Sequence, residues 1–248
     1  MESTIHKIVV WLQEQVKGAG VKGLVVGVSG GLDSAVVAYL IKRAFPNESL
    51  GVIMPLQSSP EDMKDAYDVM KGCNLSQLTI DLTEAHDVLY TNIQTQLNKK
   101  GERVESTDQL ANANLRARLR MSSLYTVATN YNYLVVGTDN ASEWFTGYFT
   151  KYGDGGVDLL PIVEFTKAEV KEMAIHLGVP QAVIDKKPSA DLWEGQTDEE
   201  EMGTTYDQID AYLKGESIPE ADRLIIEKMH QQTEHKRKIA TSYQIKKD

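Results

Sequence analysis

Ser29-Gly30-Gly31-Leu32-Asp33-Ser34 fixes the reading of this chain through what stands on either side of it. Before it comes Leu24-Val25-Val26-Gly27-Val28, a short apolar run with the length and β-branched content of a buried parallel strand. After it comes Ala35-Val36-Val37-Ala38-Tyr39-Leu40-Ile41, which reads as a buried helix. A glycine pair between strand and helix lets the backbone approach a bulky anion, with amide N–H groups turned inward and the helix dipole behind them. This is a phosphate cradle but not a Walker A loop, whose G-x-x-x-x-G-K-[ST] spacing and lysine are absent. Asp33 stands where phosphates are expected. A carboxylate beside phosphates calls for a cation between them, so Mg²⁺ is implied there. An ordinary tight turn capped by Ser29 or Asp33 is the competing account.

Outward from this loop the pattern repeats. Ile5, Ile8, Val9, Leu12 and Val16 keep helical spacing and predict an amphipathic helix ending near Gly18-Ala19-Gly20. Further strands are predicted at 50–54, 77–81 and 133–137. Helices are predicted from Pro60, over about 83–97 and 107–130, and over 166–177, the last with Thr166 and Glu169 as a capping box. The alternation predicts an α/β fold, a doubly wound parallel sheet with helices on both faces, in a single domain spanning 1–248. Segments 29–34, 55–59 and 138–143 then lie at the carboxyl ends of strands, where such sheets bind ligands.

The 248 residues carry a formal charge of −10, which argues against a nucleic-acid binder and leaves cations for polyanionic ligands few and specific. Cys73 is the only cysteine, so neither an intrachain disulfide nor a thiolate zinc site can form, and core filling is its expected role. No apolar run is long enough to span a membrane and no secretory pattern opens the chain; cytoplasmic residence is expected.

Three further constellations stand out. Gly137-Thr138-Asp139-Asn140-Ala141-Ser142-Glu143 leaves a strand for a helix as the first loop does, and Glu143 offers a second carboxylate for a metal bridging phosphates. Leu110, Ala113, Ala117, Met121, Leu124 and Ala128 form a stripe expected to face the core. Arg118 flanks it, as a guanidinium that holds a carboxylate or phosphate does, while Arg116 and Arg120 are expected on the surface. The run Phe149 to Asp158 joins Lys151 to aromatics and a glycine-rich backbone. Lys167 opens a helix against its macrodipole, a conflict that a nearby phosphate removes. Residues 191–201 carry six acids and no base, and 234–248 are basic. A solvated loop and a loose tail are one account of them; ordering of 191–206 and of the segment near Gly215 over bound nucleotide, as lids, is the other.

Together these residues resemble the ammonia-dependent NAD synthetases, of the N-type ATP pyrophosphatase class. The resemblance runs nearly end to end: Ser29 to Ser34, Ala117-Arg118-Leu119-Arg120-Met121, Gly137-Thr138-Asp139-Asn140 with Glu143, the glycine-rich run from Gly147 to Gly156, Lys187-Pro188-Ser189-Ala190-Asp191-Leu192-Trp193, Gln196 to Glu199, and His235-Lys236. It implies an adenine nucleotide alpha hydrolase-like fold and the conversion of deamido-NAD⁺, ATP and ammonia to NAD⁺, AMP and pyrophosphate. By similarity Gly27, Val28, Ser29, Gly30, Gly31, Leu32, Asp33 and Ser34 hold the ATP phosphates, and Thr138, Lys167 and Ser189 also contact ATP. Asp33 and Glu143 bind Mg²⁺, and Asp33, Glu143 and Lys167 serve the chemistry. Arg118, Lys151, Asp158, His235 and Lys236 contact deamido-NAD⁺. The resemblance also implies a homodimer. Ser189 replaces the threonine of many relatives and keeps its hydroxyl.

The implied chemistry suits the residues. A carboxylate is a poor acyl donor until AMP is attached, and expelling pyrophosphate calls for a cradle that stabilises charge on the β/γ end. The G-x-G-x-x-G of Gly18 to Gly23 ends the first predicted helix and precedes the strand instead of following one, so it lacks the Rossmann context, and a pyridine nucleotide is substrate here, not a Rossmann-bound cofactor. The chain has no room for a glutamine-hydrolysing domain, so free ammonia is the expected nitrogen donor. The alternatives are another ATP pyrophosphatase with a different acceptor, and a non-catalytic ATP sensor.

Overall fold

The computed structural model describes residues 1–56, 58–188 and 197–243. Helix α1 (Glu2–Ala19) leads into β1 (Gly23–Gly27), and α2 (Leu32–Ala44) follows the glycine loop. β2 (Ser49–Ile53), α3 (Pro60–Cys73), β3 (Ser76–Thr79), α4 (Thr83–Lys100), α5 (Asp108–Tyr131) and β4 (Tyr133–Val136) complete the alternation. The sheet is wholly parallel in the order β3-β2-β1-β4. Val136 makes an isolated parallel bridge to Leu159 beyond β4.

Period-two alternation sorts β1 between two cores. Leu24, Val26 and Val28 join residues of α1, α2, α3 and α7 (Lys167–Leu177) on one face. Val25 joins Val52, Val135, Leu124 and Ala128 on the other. Fully buried side chains such as Leu24, Leu40 and Ile41 contribute about 1.5–3 kcal/mol each by leaving water. Helix α2 is buried almost all round because α1, α3 and α7 pack against it while the sheet covers its remaining side. The edge strand β3 is shorter than predicted and mostly exposed, since it has one neighbour only.

The chain turns left and right of β1: β2 and β3 lie to one side, β4 to the other. The crevice beyond the ends of β1 and β4 is the topological switch point. Both predicted loops, 29–34 and 138–143, open into it. Two short helices, α6 (Ala141–Thr146) and α8 (Gln181–Asp185), flank α7 in sequence. A satellite cluster of Met202, Tyr206, Ile209 and Ile226 joins α9 (Asp198–Met202), α10 (Tyr206–Leu213) and α11 (Glu220–Gln232).

Three expectations are corrected. Arg116 is buried, its Nε donating to Asn112 Oδ1 at 2.9 Å, and Arg120 Nε reaches the Met54 carbonyl oxygen at 3.4 Å, so neither is a plain surface charge. Helix α4 and the end of β2 approach α5 on sides that a helical wheel assigns to solvent. Within the acidic stretch, 197–206 is no solvated loop: Asp198, Met202 and Tyr206 are buried. The basic tail begins docked, with Lys236 Nζ donating to the Gly147 and Phe149 carbonyls at 2.7 Å each. Ser189 and the rest of 189–196 lie outside the described residues, as do 244–248. Among the described residues no helix is long and apolar enough to cross a membrane.

Candidate active site

A cavity of about 560 Å³ opens at the switch point. Gly27, Val28, Ser29, Gly31, Leu32, Asp33 and Ser34 form one wall, and Thr138, Asp139, Glu143 and Lys167 another. The glycine loop is shaped in advance: Ser34 Oγ donates to the Gly31 carbonyl at 3.0 Å and accepts from the Ser29 amide at 3.2 Å. Gly30 has φ +88°, and a Cβ there would lie 2.5 Å from the Asp62 carbonyl oxygen. Only glycine satisfies both constraints.

Lys167 joins the two walls. Its Nζ lies 2.5 Å from Asp33 Oδ2 and 3.2 Å from Glu143 Oε1, although these residues come from three separate elements. Asp33 Oδ1 accepts from Asn140 Nδ2 at 2.9 Å. Asn140 in turn caps α6, and Glu143 Oε2 accepts from its backbone N–H at 3.2 Å, so Glu143 serves both helix and site. Burial, partly offset by Lys167 and reinforced by Asp33, lifts the Glu143 pKa to about 7. Burial opposes the Lys167 charge, but Asp33 and Glu143 outweigh it and raise the ammonium above its ordinary value. The unfavourable lysine at the start of α7 is compensated a second way: Asp210 accepts from the Lys167 and Ala168 amides at 3.3 and 2.9 Å.

The residues assigned by resemblance to deamido-NAD⁺ separate into three placements. Lys236 lines the cavity, with Nζ 5.5 Å from the Phe149 ring centre. Arg118, Lys151 and His235 gather outside it as a relay: Arg118 donates to the Lys151 carbonyl at 3.3 Å, and Lys151 Nζ donates to the carbonyl of His235. Asp158 is engaged internally, accepting from Tyr125 OH at 3.0 Å and the Val135 amide at 2.8 Å. The stripe on α5 divides likewise: Leu110, Ala113, Ala117 and Met121 line the cavity, and Ala128 is in the core.

The NAD synthase family model matches residues 4–240. The chain belongs to the NAD synthase family. It is 54% identical over 245 residues to an NH(3)-dependent NAD(+) synthetase of Alkaliphilus oremlandii, covering 99% of this chain and 98% of the relative. Among solved structures it resembles NMN synthetase from Francisella tularensis, with TM-score 0.92 and 38% identity over 98% of both chains. It also resembles the NH3-dependent NAD synthetase of Campylobacter jejuni, with TM-score 0.78 and 27% identity over 98% of both chains.

The sequence motifs assign no role to several residues of this NAD synthase site, although Asp139, Tyr148 and Asp198 lie inside them. Tyr206 OH donates to Glu143 Oε1 at 3.1 Å and Asp198 Oδ2 at 2.9 Å, and Lys167 Nζ lies 4.8 Å from its ring centre. Tyr148 OH donates to Asp198 and Glu201 at 3.3 and 2.6 Å. These tyrosines are what bring acids of 197–201 onto the site. Asp139 is 4% exposed, and its Oδ2 has no hydrogen-bond partner among the described residues. Burial, with Asp154, Glu143 and Asp33 adding to it, pushes its pKa well up. Its position inside Gly137-Thr138-Asp139-Asn140 was the available hint.

Proposed function

We propose that residues 1–248 act as one catalytic unit that joins ammonia to the nicotinate carboxylate of deamido-NAD⁺, using ATP and releasing AMP and pyrophosphate. This is a C–N ligase reaction, in keeping with family membership. The observation that carries it is the meeting of Asp33, Glu143 and Lys167 beside the glycine loop.

Two carboxylates already converge on one cation position, which suits Mg²⁺, a hard ion that completes its shell with water and phosphate oxygens. Among the described residues no cluster of three or more His, Cys, Asp or Glu forms a cage, so the fit is to an ion that arrives with nucleotide. Asp33 and Glu143 would hold it, and when bound it supplies charge neutralisation for the phosphates.

The backbone of 27–34 cradles the phosphates, with Thr138 as a further contact. A nicotinate carboxylate oxygen attacks the α-phosphorus, the bond to pyrophosphate breaks, and the acyl adenylate forms. Lys167, kept protonated by its two carboxylates, faces the charge that develops there. Ammonia then attacks the acyl carbon, the C–O bond to AMP breaks, and the nitrogen gives up a proton. Asp139 is the group we assign to hold ammonium and take its proton: it lines the cavity, is buried, and binds protons more tightly than an ordinary aspartate.

Arg118, Lys151 and His235 hold the part of the dinucleotide that leaves the cavity, while Asp158 acts by fixing β4 to α5. Such a site, half on the surface, suits completion by a second copy in a cytoplasmic homodimer. The exposed Val88, Leu89, Ile93 and Leu110 on α4 and α5 are the apolar area for that contact. The experiment is mass-spectrometric detection of NAD⁺ after incubation with ATP, Mg²⁺, ammonium and deamido-NAD⁺; AMP formed with no NAD⁺ overturns the acceptor.

A shorter acceptor, nicotinate mononucleotide, is favoured by one observation: the resemblance to NMN synthetase at TM-score 0.92 exceeds that to the Campylobacter jejuni NAD synthetase at 0.78. A mononucleotide needs the cavity and Lys236 but not the outer relay. The ratio of kcat/KM for the two acceptors decides between them.

A further inference from the structure

We propose that Lys186 is a second cation for the pyrophosphate end of ATP, stored on Asp62 and Asp65 until the nucleotide arrives; this rests on the ATP site described above. Lys186 follows α8 and lines the cavity with Lys187 and Pro188. Its Nζ donates to Asp62 Oδ1 and, at 2.8 Å, to Asp65 Oδ2. Both acids lie in the first turns of α3, and that part of α3 is wedged against the glycine loop. A Cβ at Gly30 would meet the Asp62 carbonyl oxygen at 2.5 Å, Asp65 Cβ at 3.0 Å and the Ala66 amide at 3.1 Å. The ammonium is therefore about one side chain away from the loop that takes the phosphates.

The electrostatics require a cation at this place. A polyphosphate approaching the Gly30 end of the loop meets two carboxylates, and like charges at short range in a half-enclosed site repel strongly. The amide end of α3 does not offset them, because Ser59 and Asp62 already cap it: Ser59 Oγ accepts from the Asp62 amide at 3.0 Å and donates to its carboxylate at 2.5 Å. Lys186 turns a repulsive wall into a neutral or attractive one. Its side chain remains 26% exposed, against 7% for that of Asp65, so the ammonium faces the open side of the cluster. Two of its three N–H groups go to carboxylates, and a phosphate oxygen is a competitive acceptor for them. The arrangement repeats that of Lys167, which straddles Asp33 and Glu143 at the other end of the same loop.

A staple that merely ties 186–188 to α3 predicts different behaviour, and pyrophosphate binding separates the two. Inorganic pyrophosphate with Mg²⁺ is titrated calorimetrically into the parent, Lys186→Met, Lys186→Arg and Asp62→Asn, with melting temperature followed in parallel. Lys186→Met is expected to weaken pyrophosphate binding about tenfold or more, the size of one lost charge-assisted contact, and to raise KM for ATP while leaving KM for the acceptor nearly unchanged. Lys186→Arg keeps affinity within about threefold. Asp62→Asn moves the other way and tightens pyrophosphate binding, because it removes a competing anion. Equal affinity in Lys186→Met and parent overturns the proposal, as does weakening in both Lys186→Met and Asp62→Asn. The titration contains no acceptor, so a parent that binds pyrophosphate but makes no NAD⁺ overturns the acceptor assignment alone. A parent that binds no pyrophosphate overturns both.

Discussion

Glu143→Gln is expected to flatten the dependence of stability on pH. In the folded chain the Glu143 pKa is raised from 4.5 to about 7, chiefly by burial. The folded state therefore holds this proton more tightly than the unfolded state. Between pH 4.5 and 7 the unfolded chain gives up the proton first, and stability falls through that window and levels off above it. Each tenfold change in proton affinity corresponds to about 1.4 kcal/mol, so the full loss amounts to about 3 kcal/mol. About a quarter of that loss precedes pH 5, so for a chain of this length the fall in melting temperature between pH 5 and pH 8 is about 5–10 °C. Glutamine preserves the shape and keeps an amide oxygen for the Asn140 N–H that Glu143 now accepts at 3.2 Å. Asp139 remains in both proteins and feels the Glu143 charge, so the difference between the two curves reports Glu143 together with its coupling to Asp139. The assay is differential scanning fluorimetry at half-unit steps from pH 5 to 8, without divalent ions. Melting curves that run parallel in parent and variant across this range would refute the assigned burial cost. Adding Mg²⁺ together with ATP at pH 8 should restore stability to the parent and much less to the variant, since an ion held by Asp33 and Glu143 needs both deprotonated.

Three further substitutions test separate parts of the site. Asp33→Asn is nearly isosteric and should abolish AMP formation while leaving the melting temperature close to the parent; turnover within about tenfold of the parent, roughly 1.4 kcal/mol of barrier, defeats its role. Gly30→Ala meets both a positive φ and the Asp62 carbonyl oxygen at 2.5 Å, and should lower stability and raise KM for ATP together. An unchanged KM there means that the loop does not hold phosphate. Asp139→Asn removes a buried carboxyl whose pKa burial pushes up, so the variant's stability should fall less than the parent's as pH rises. Its activity should fall most at neutral pH and recover toward pH 9, where free ammonia replaces ammonium. A loss equal at both pH values removes Asp139 from proton transfer.

The parts of this molecule that were legible in the sequence are those written in local signals. A glycine pair between an apolar strand and an apolar helix specified the tight loop from β1 into α2. Thr166 with Glu169 specified the start of α7, and the capping box forms with Glu169 Oε2 accepting from the Thr166 amide at 2.8 Å. The two carboxylates Asp33 and Glu143 were found because each follows a strand, and parallel strands put their carboxyl ends side by side. What stayed hidden depends on distant pairings. Tyr206 reaches Glu143 from a helix 63 positions away, and Lys186 reaches Asp62 across 124. No periodicity records such contacts. Arg116 and Arg120 were misplaced for a related reason: a helical wheel treats whatever is off the apolar stripe as solvent, whereas neighbouring elements approach α5 there. The stripe itself was ambiguous, because a cavity wall for an aromatic ligand uses the same side chains as a core.

A chain of charge −10 that must take up ATP faces an electrostatic problem, and the site shows how it is met. Bare lysines around an empty phosphate cradle would repel one another and attract any anion. Bare carboxylates would repel the nucleotide. Here Lys167 rests on Asp33 and Glu143, and Lys186 rests on Asp62 and Asp65. Each cation is held in place at a defined distance from the loop, so little side-chain freedom is lost when phosphate replaces a carboxylate as its partner. The carboxylates freed by that exchange are the hard-oxygen ligands that a divalent ion requires. We propose that exchange of partners, with no gain in net protein charge, lets one acidic surface bind a polyanion together with a divalent ion and remain unattractive to either alone.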